Sequence, residues 1–120
     1  MSSANYFSLV QELNDLMEKA YKDLDYCIIH GNTAAEARAN YKTALNAELL
    51  NLRENTKLPA NLIPKVAEGS EEVMLRALDL DCAEVLYKAS NEVVQLRKRQ
   101  IDIIREQIAR EHSIPRRENI

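Results

Sequence analysis

From Ser70 to Ser113 the chain runs without a glycine or a proline, and one position in seven is apolar throughout: Val73, Leu80, Tyr87, Val94, Ile101 and Ile108. A seven-residue apolar repeat held this long predicts a single helix with a seam facing another surface. Spanning about 71–112, that helix would be roughly 60 Å long. Ser70 is a suitable N-cap, and Glu71 and Glu72 complement the helix dipole in the first turn. Pro115 is expected to stop the helix near His112, which leaves 113–120 as a charged tail.

The N-terminal half reads as two further helices. Over about 4–29, Tyr6, Phe7, Val10, Leu13, Leu16, Met17, Ala20, Tyr21, Leu24, Cys27 and Ile28 recur at spacings that alternate between three and four and make one apolar stripe. His30-Gly31-Asn32 follows, and Gly31 is the residue type that closes a helix in the left-handed conformation. Thr33-Ala34-Ala35-Glu36 then fits a capping box, so a second helix is predicted over about 34–55. Its stripe is Ala34, Ala37, Tyr41, Ala44, Leu45, Leu49 and Leu52, rich in small residues that admit a close neighbour. Residues 56–70 contain Pro59 and Pro64 but also Leu58, Leu62, Ile63 and Val66, the composition of a folded connection with a helical turn after Pro64. The expected architecture is all-α: one domain over 1–112, a three-helix antiparallel bundle with a very long, coiled-coil-like C-terminal helix.

Length makes that last helix the point of interest. Helices over 4–29 and 34–55 are roughly 39 and 33 Å long, so neither reaches past about Ser90 of the third. The surplus carries Val93, Val94, Leu96, Ile101, Ile103, Ile104 and Ile108, more apolar surface than a monomer usually exposes. Self-association is the expectation, with a dimer favoured. A bend at Ser90-Asn91 that returns the helix to its own core is one alternative, and a docking surface for a different protein is another. The candidate interaction residues are Val94, Leu96, Ile101, Ile104 and Ile108 for self-association, with Arg97 and Arg105 for partner contact.

Composition narrows the function. Net charge is −3, which argues against a general nucleic-acid binder. The charge is uneven: residues 97–120 hold seven bases and four acids, a net +3, on a body of nine bases and fifteen acids, a net −6. Arg97-Lys98-Arg99 with Arg105, Arg110, Arg116 and Arg117 are candidate phosphate contacts. Asp102, Glu106 and Glu111 interleave with them, however, and no aromatic does, so ion pairing along a solvated face accounts for most of the pattern. Two isolated cysteines, Cys27 and Cys82, and the absence of a signal peptide suggest reduced, buried thiols in a cytoplasmic protein. No apolar run approaches the roughly 20 residues of a membrane span.

Candidate chemistry is sparse. The chain has no glycine-rich phosphate loop and no nucleophile elbow, and His30 and His112 lack a second ligand at metal spacing. Carboxylates that share a helix face, Glu12 with Asp15, Glu68 with Glu71 and Glu72, and Asp81 with Glu84, are the arrangement a magnesium-dependent nucleotide pyrophosphohydrolase would use. Their order and density do not match that chemistry well, and such pairs are ordinary on a solvated helix. Tyr41 and Tyr87 fall on core stripes rather than forming a ligand-stacking pair. No enzyme activity, cofactor or metal is expected.

Several short stretches resemble a group of small helical proteins of bacteriophages and prophages of Gram-positive bacteria. They are Ala35-Glu36-Ala37, Tyr41-Lys42 with Ala44, Leu52-Arg53, Leu62-Ile63-Pro64, Ala67-Glu68-Gly69, Glu72-Val73, Ala83-Glu84, Tyr87-Lys88-Ala89 and Arg105-Glu106-Gln107. The resemblance covers 30–112 and rests on helix-core and capping features. It implies an early-region gene set among replication and recombination functions, in the host cytoplasm, and transfers no catalytic residue. The expected function is stoichiometric binding of another phage or host protein, either as a replication or recombination partner or as an inhibitor of a host defence system such as a CRISPR effector. The alternatives are an oligomeric nucleic-acid or nucleotide-ligand binder using the basic C-terminal end, and the magnesium-dependent hydrolase.

Overall fold

A computed structural model describes the backbone of residues 3–118 and the side chains of residues 5–112. The described chain is helical and contains no strand: α1 (Ser3–Asn55), α2 (Ile63–Glu68) and α3 (Glu71–Glu118). The long helices α1 and α3 have 53 and 48 residues.

The break expected between 29 and 34 is not there. α1 runs through His30-Gly31-Asn32, and no described residue has a positive φ. Thr33 does not cap a new helix. Its hydroxyl donates to the Ile29 carbonyl one turn back, at 3.0 Å. The energetics explain the difference. A glycine inside a helix costs only about 1 kcal/mol relative to alanine, and the Tyr87 ring lies against Gly31. A Cβ at position 31 would stand 3.1 Å from Tyr87 Cε1 and 3.3 Å from Cζ. The glycine provides room for a ring, and ring packing offsets the weak local propensity. Helices over 4–29 and 34–55 are thus replaced by one.

α3 begins after Ser70, whose carbonyl accepts the Met74 N–H at 2.9 Å while its shielded hydroxyl has no hydrogen-bond partner. Helix also continues where the tail was expected, through Pro115 to Glu118. Pro115 removes one N–H donor close to the helix end and does not terminate it there. Residues 119 and 120, and the side chains from Ser113 onward, lie outside the described residues.

The chain divides into two compact units, one of residues 1–27 with 89–120 and one of residues 28–88. In the second unit, α1 and α3 run antiparallel: Gly31 lies beside Tyr87, and Arg38 pairs with Glu84 at 2.8 Å. Its core forms where α1 ends. Leu52 packs with Ile63 and Ala67 of α2, and Leu45, Leu49 and Leu58 close around them. Pro64 sits in the first turn of α2, where its missing N–H costs nothing, and the Gly69 N–H bonds back to the Lys65 and Val66 carbonyls at 3.2 Å. Ala34, Val73 and Ala83 complete the buried set, and Val73 is only 1% exposed. Each large buried aliphatic contributes roughly 1.5–3 kcal/mol.

The first unit is also an antiparallel helix pair. Val94, Ile101 and Ile104 of α3 are buried in it. Asp23 accepts from Arg97 Nε at 3.0 Å, both side chains being largely shielded, and the rings of Tyr6 and His112 stand 6.3 Å apart.

Candidate interaction faces

The seven residues expected to form an exposed surface on late α3 divide within the first unit. Val94, Ile101 and Ile104 are buried and Ile108 is half-buried, so these are internal seam residues. Arg97 is turned inward, bonding Asp23 and also Gln100 Oε1 at 2.9 Å. Only Leu96 and Arg105 are exposed. The correction follows from α1: because that helix does not stop at residue 29, its residues 5–27 are available to pair with this part of α3. The repeat Val73, Leu80, Tyr87, Val94, Ile101, Ile108 is a seam, but its counterpart lies in the same chain.

A different set of apolar residues is left uncovered. In the second unit, α3 exposes Met74, Leu75, Leu78, Cys82, Val85 and Leu86, and Val85 is 67% exposed. Leu75, Leu78, Cys82 and Val85 are separated by three, four and three residues, so they fall on one strip of the helix. The strip lies about two residues out of phase with Val73, Leu80 and Tyr87, which turns it roughly 160° around the helix from the internal seam. In sequence the same register continues through Ala89, Leu96 and Ile103, residues of the first unit that are also exposed. This second series was readable from the start, but Cys82 and Ala89 make it less conspicuous than the first. Cys82 was expected to be buried; it is free and exposed, while Cys27 is half-buried.

Beside the strip is a shallow groove of about 330 Å³ lined by Tyr41, Glu68, Val73, Met74, Leu78 and Asp81. The first unit exposes its own apolar residues: Phe7, Tyr21, Leu24 and Tyr26 on α1, and Val93, Leu96 and Ile103 on α3. An open groove of about 310 Å³ there is lined by Asn5, Ser8, Leu9, Gln107, Arg110 and Glu111.

The polar candidates are mostly engaged locally. Glu84 accepts from Arg38, Glu72 from Arg76 at 3.0 Å, and Asp15 from Gln11 at 3.1 Å. Among the described residues, no group of three His, Cys, Asp or Glu side chains is placed to hold a metal ion. No described helix is long and apolar enough to cross a membrane. Tyr41 borders the groove of the second unit and Tyr87 covers Gly31, so the two do not form a stacking pair there. Comparison of the chain with protein-family models, with curated proteins and with solved structures finds no match.

Proposed function

We propose that this protein works by association rather than by catalysis, with helix faces as its working surfaces and a dimer as its basic form. The observation that carries this is the number of large apolar side chains left open within each unit. The second unit exposes Met74, Leu75, Leu78, Val85 and Leu86 on α3, and the first exposes Phe7, Tyr21, Tyr26, Val93 and Ile103. Apolar exposure of this extent marks an association surface. Much of the open surface is aliphatic or aromatic and borne on long helices, which suits coiled-coil-like pairing with other helices. In the setting implied by the phage resemblance, the assembled protein would act stoichiometrically by covering a surface of a replication, recombination or host-defence protein. The test is the solution mass. Sedimentation equilibrium at tens of micromolar is expected to give at least twice 13.7 kDa. A strict monomer throughout that range refutes the proposal.

A further inference from the structure

We infer that the uncovered strip of α3 in the second unit, centred on Leu75, Leu78, Cys82 and Val85, is the surface on which a second copy of this chain docks. This rests on the association reading above and assigns it a place.

Three observations support a second copy as the occupant. The first is pattern. Spacings of three, four and three put Leu75 and Cys82 on one heptad position and Leu78 and Val85 on the other, the arrangement that meshes with an identical helix. All four are exposed although α1 already covers the Val73 side of the same helix. A helix with one apolar seam needs one neighbour; a helix with two needs another, and the second unit supplies none on this side.

The second is area. With Met74 and Leu86 beside it, the strip offers on the order of 500 Å² of contiguous apolar surface, near the upper end for a stable monomer. The third is charge. No ionised residue interrupts the four central positions. Asp79 and Asp81 flank the strip rather than occupying it, and Arg76 is held on its own helix by Glu72 at 3.0 Å. A two-fold arrangement places an uncharged strip on its own image, so that apolar residues meet apolar residues and no buried charge results.

Cys82 provides the readout, since it lies in the centre of the strip. The experiment uses the full chain with Cys27→Ser, which leaves Cys82 as its only thiol. Mass is followed by sedimentation equilibrium from about 1 to 100 µM, and the rate of Cys82 alkylation by N-ethylmaleimide is measured over the same range. The parent is expected to dimerise, with Cys82 alkylated at least about tenfold more slowly in the dimer than in the monomer. Leu78→Glu with Val85→Glu is expected to weaken dimerisation by about 100-fold or more and to abolish that protection, with helicity retained. Leu50→Glu, at an exposed apolar site on α1, is expected to change neither. A parent that dimerises with Cys82 alkylated equally fast at every concentration overturns the assignment of the strip and leaves association standing. A parent that stays monomeric overturns both. If the double variant loses its helix, the concentration dependence of Cys82 protection in the parent decides the matter alone.

Discussion

Gly31→Ala distinguishes a continuous α1 from a helix that ends at Gly31. In the structure residue 31 has no positive φ, so alanine fits the backbone and gains about 1 kcal/mol of helix propensity over glycine. Opposing this is the Tyr87 ring. The new methyl would stand 3.1 Å from Cε1 and 3.3 Å from Cζ, so the ring must shift by a few tenths of an ångström, while Cδ1 at 3.6 Å is in ordinary contact. In a closed core such overpacking costs about 1–3 kcal/mol. Tyr87 is 44% exposed, however, so its ring has solvent on one side and can yield. The expected balance is a net gain of about 0.5 kcal/mol. Tyr87→Ala removes the obstacle, so in that background Gly31→Ala should recover the full gain of about 1 kcal/mol. The assay is urea unfolding followed by circular dichroism at 222 nm, for the four members of the cycle. All are held at one protein concentration, because association shifts apparent stability. A loss of about 1 kcal/mol or more in both backgrounds would mean that Gly31 needs a conformation closed to alanine, and the continuous helix would be refuted.

Three further outcomes follow from named contacts. Thr33→Val should cost less than about 0.5 kcal/mol in urea unfolding, because its hydroxyl bonds only the Ile29 carbonyl within the helix; a capping threonine would cost about 1–2 kcal/mol. Asp23→Asn and Arg97→Met, combined in a double-mutant cycle, should show a coupling of roughly 1–2 kcal/mol that persists in moderate salt, since both partners are largely shielded. Val73→Ala removes methyl groups from the most enclosed large side chain described and should lower stability by roughly 2 kcal/mol in the same urea assay; a loss under 0.5 kcal/mol would place Val73 outside the core.

The sequence by itself determined that the described chain is helical, because apolar residues recur at three and four and three of the five glycines and prolines, Pro59, Pro64 and Gly69, fall together in one connection. It also showed that α3 carries a long seam: of the six positions of its seven-residue repeat, Val73, Val94 and Ile101 are buried, Leu80 and Ile108 half-buried, and Tyr87 is 44% exposed. It did not determine where α1 stops. Gly31, Thr33 and Glu36 are local signals worth about 1 kcal/mol each, and a ring packed on Gly31 is enough to outweigh them. Nor could periodicity identify what fills a seam, because a heptad repeat records that a face is covered and not by which segment. Tertiary structure decided that: residues 5–27 of α1 flank late α3, Asp23 meets Arg97, and Val94, Ile101 and Ile104 turn inward. The uncovered face is then the strip through Leu75, Leu78, Cys82 and Val85, visible as a pattern in the sequence but distinguishable from the internal seam only once α1 is in place, because covering one side of a helix is what leaves the other open.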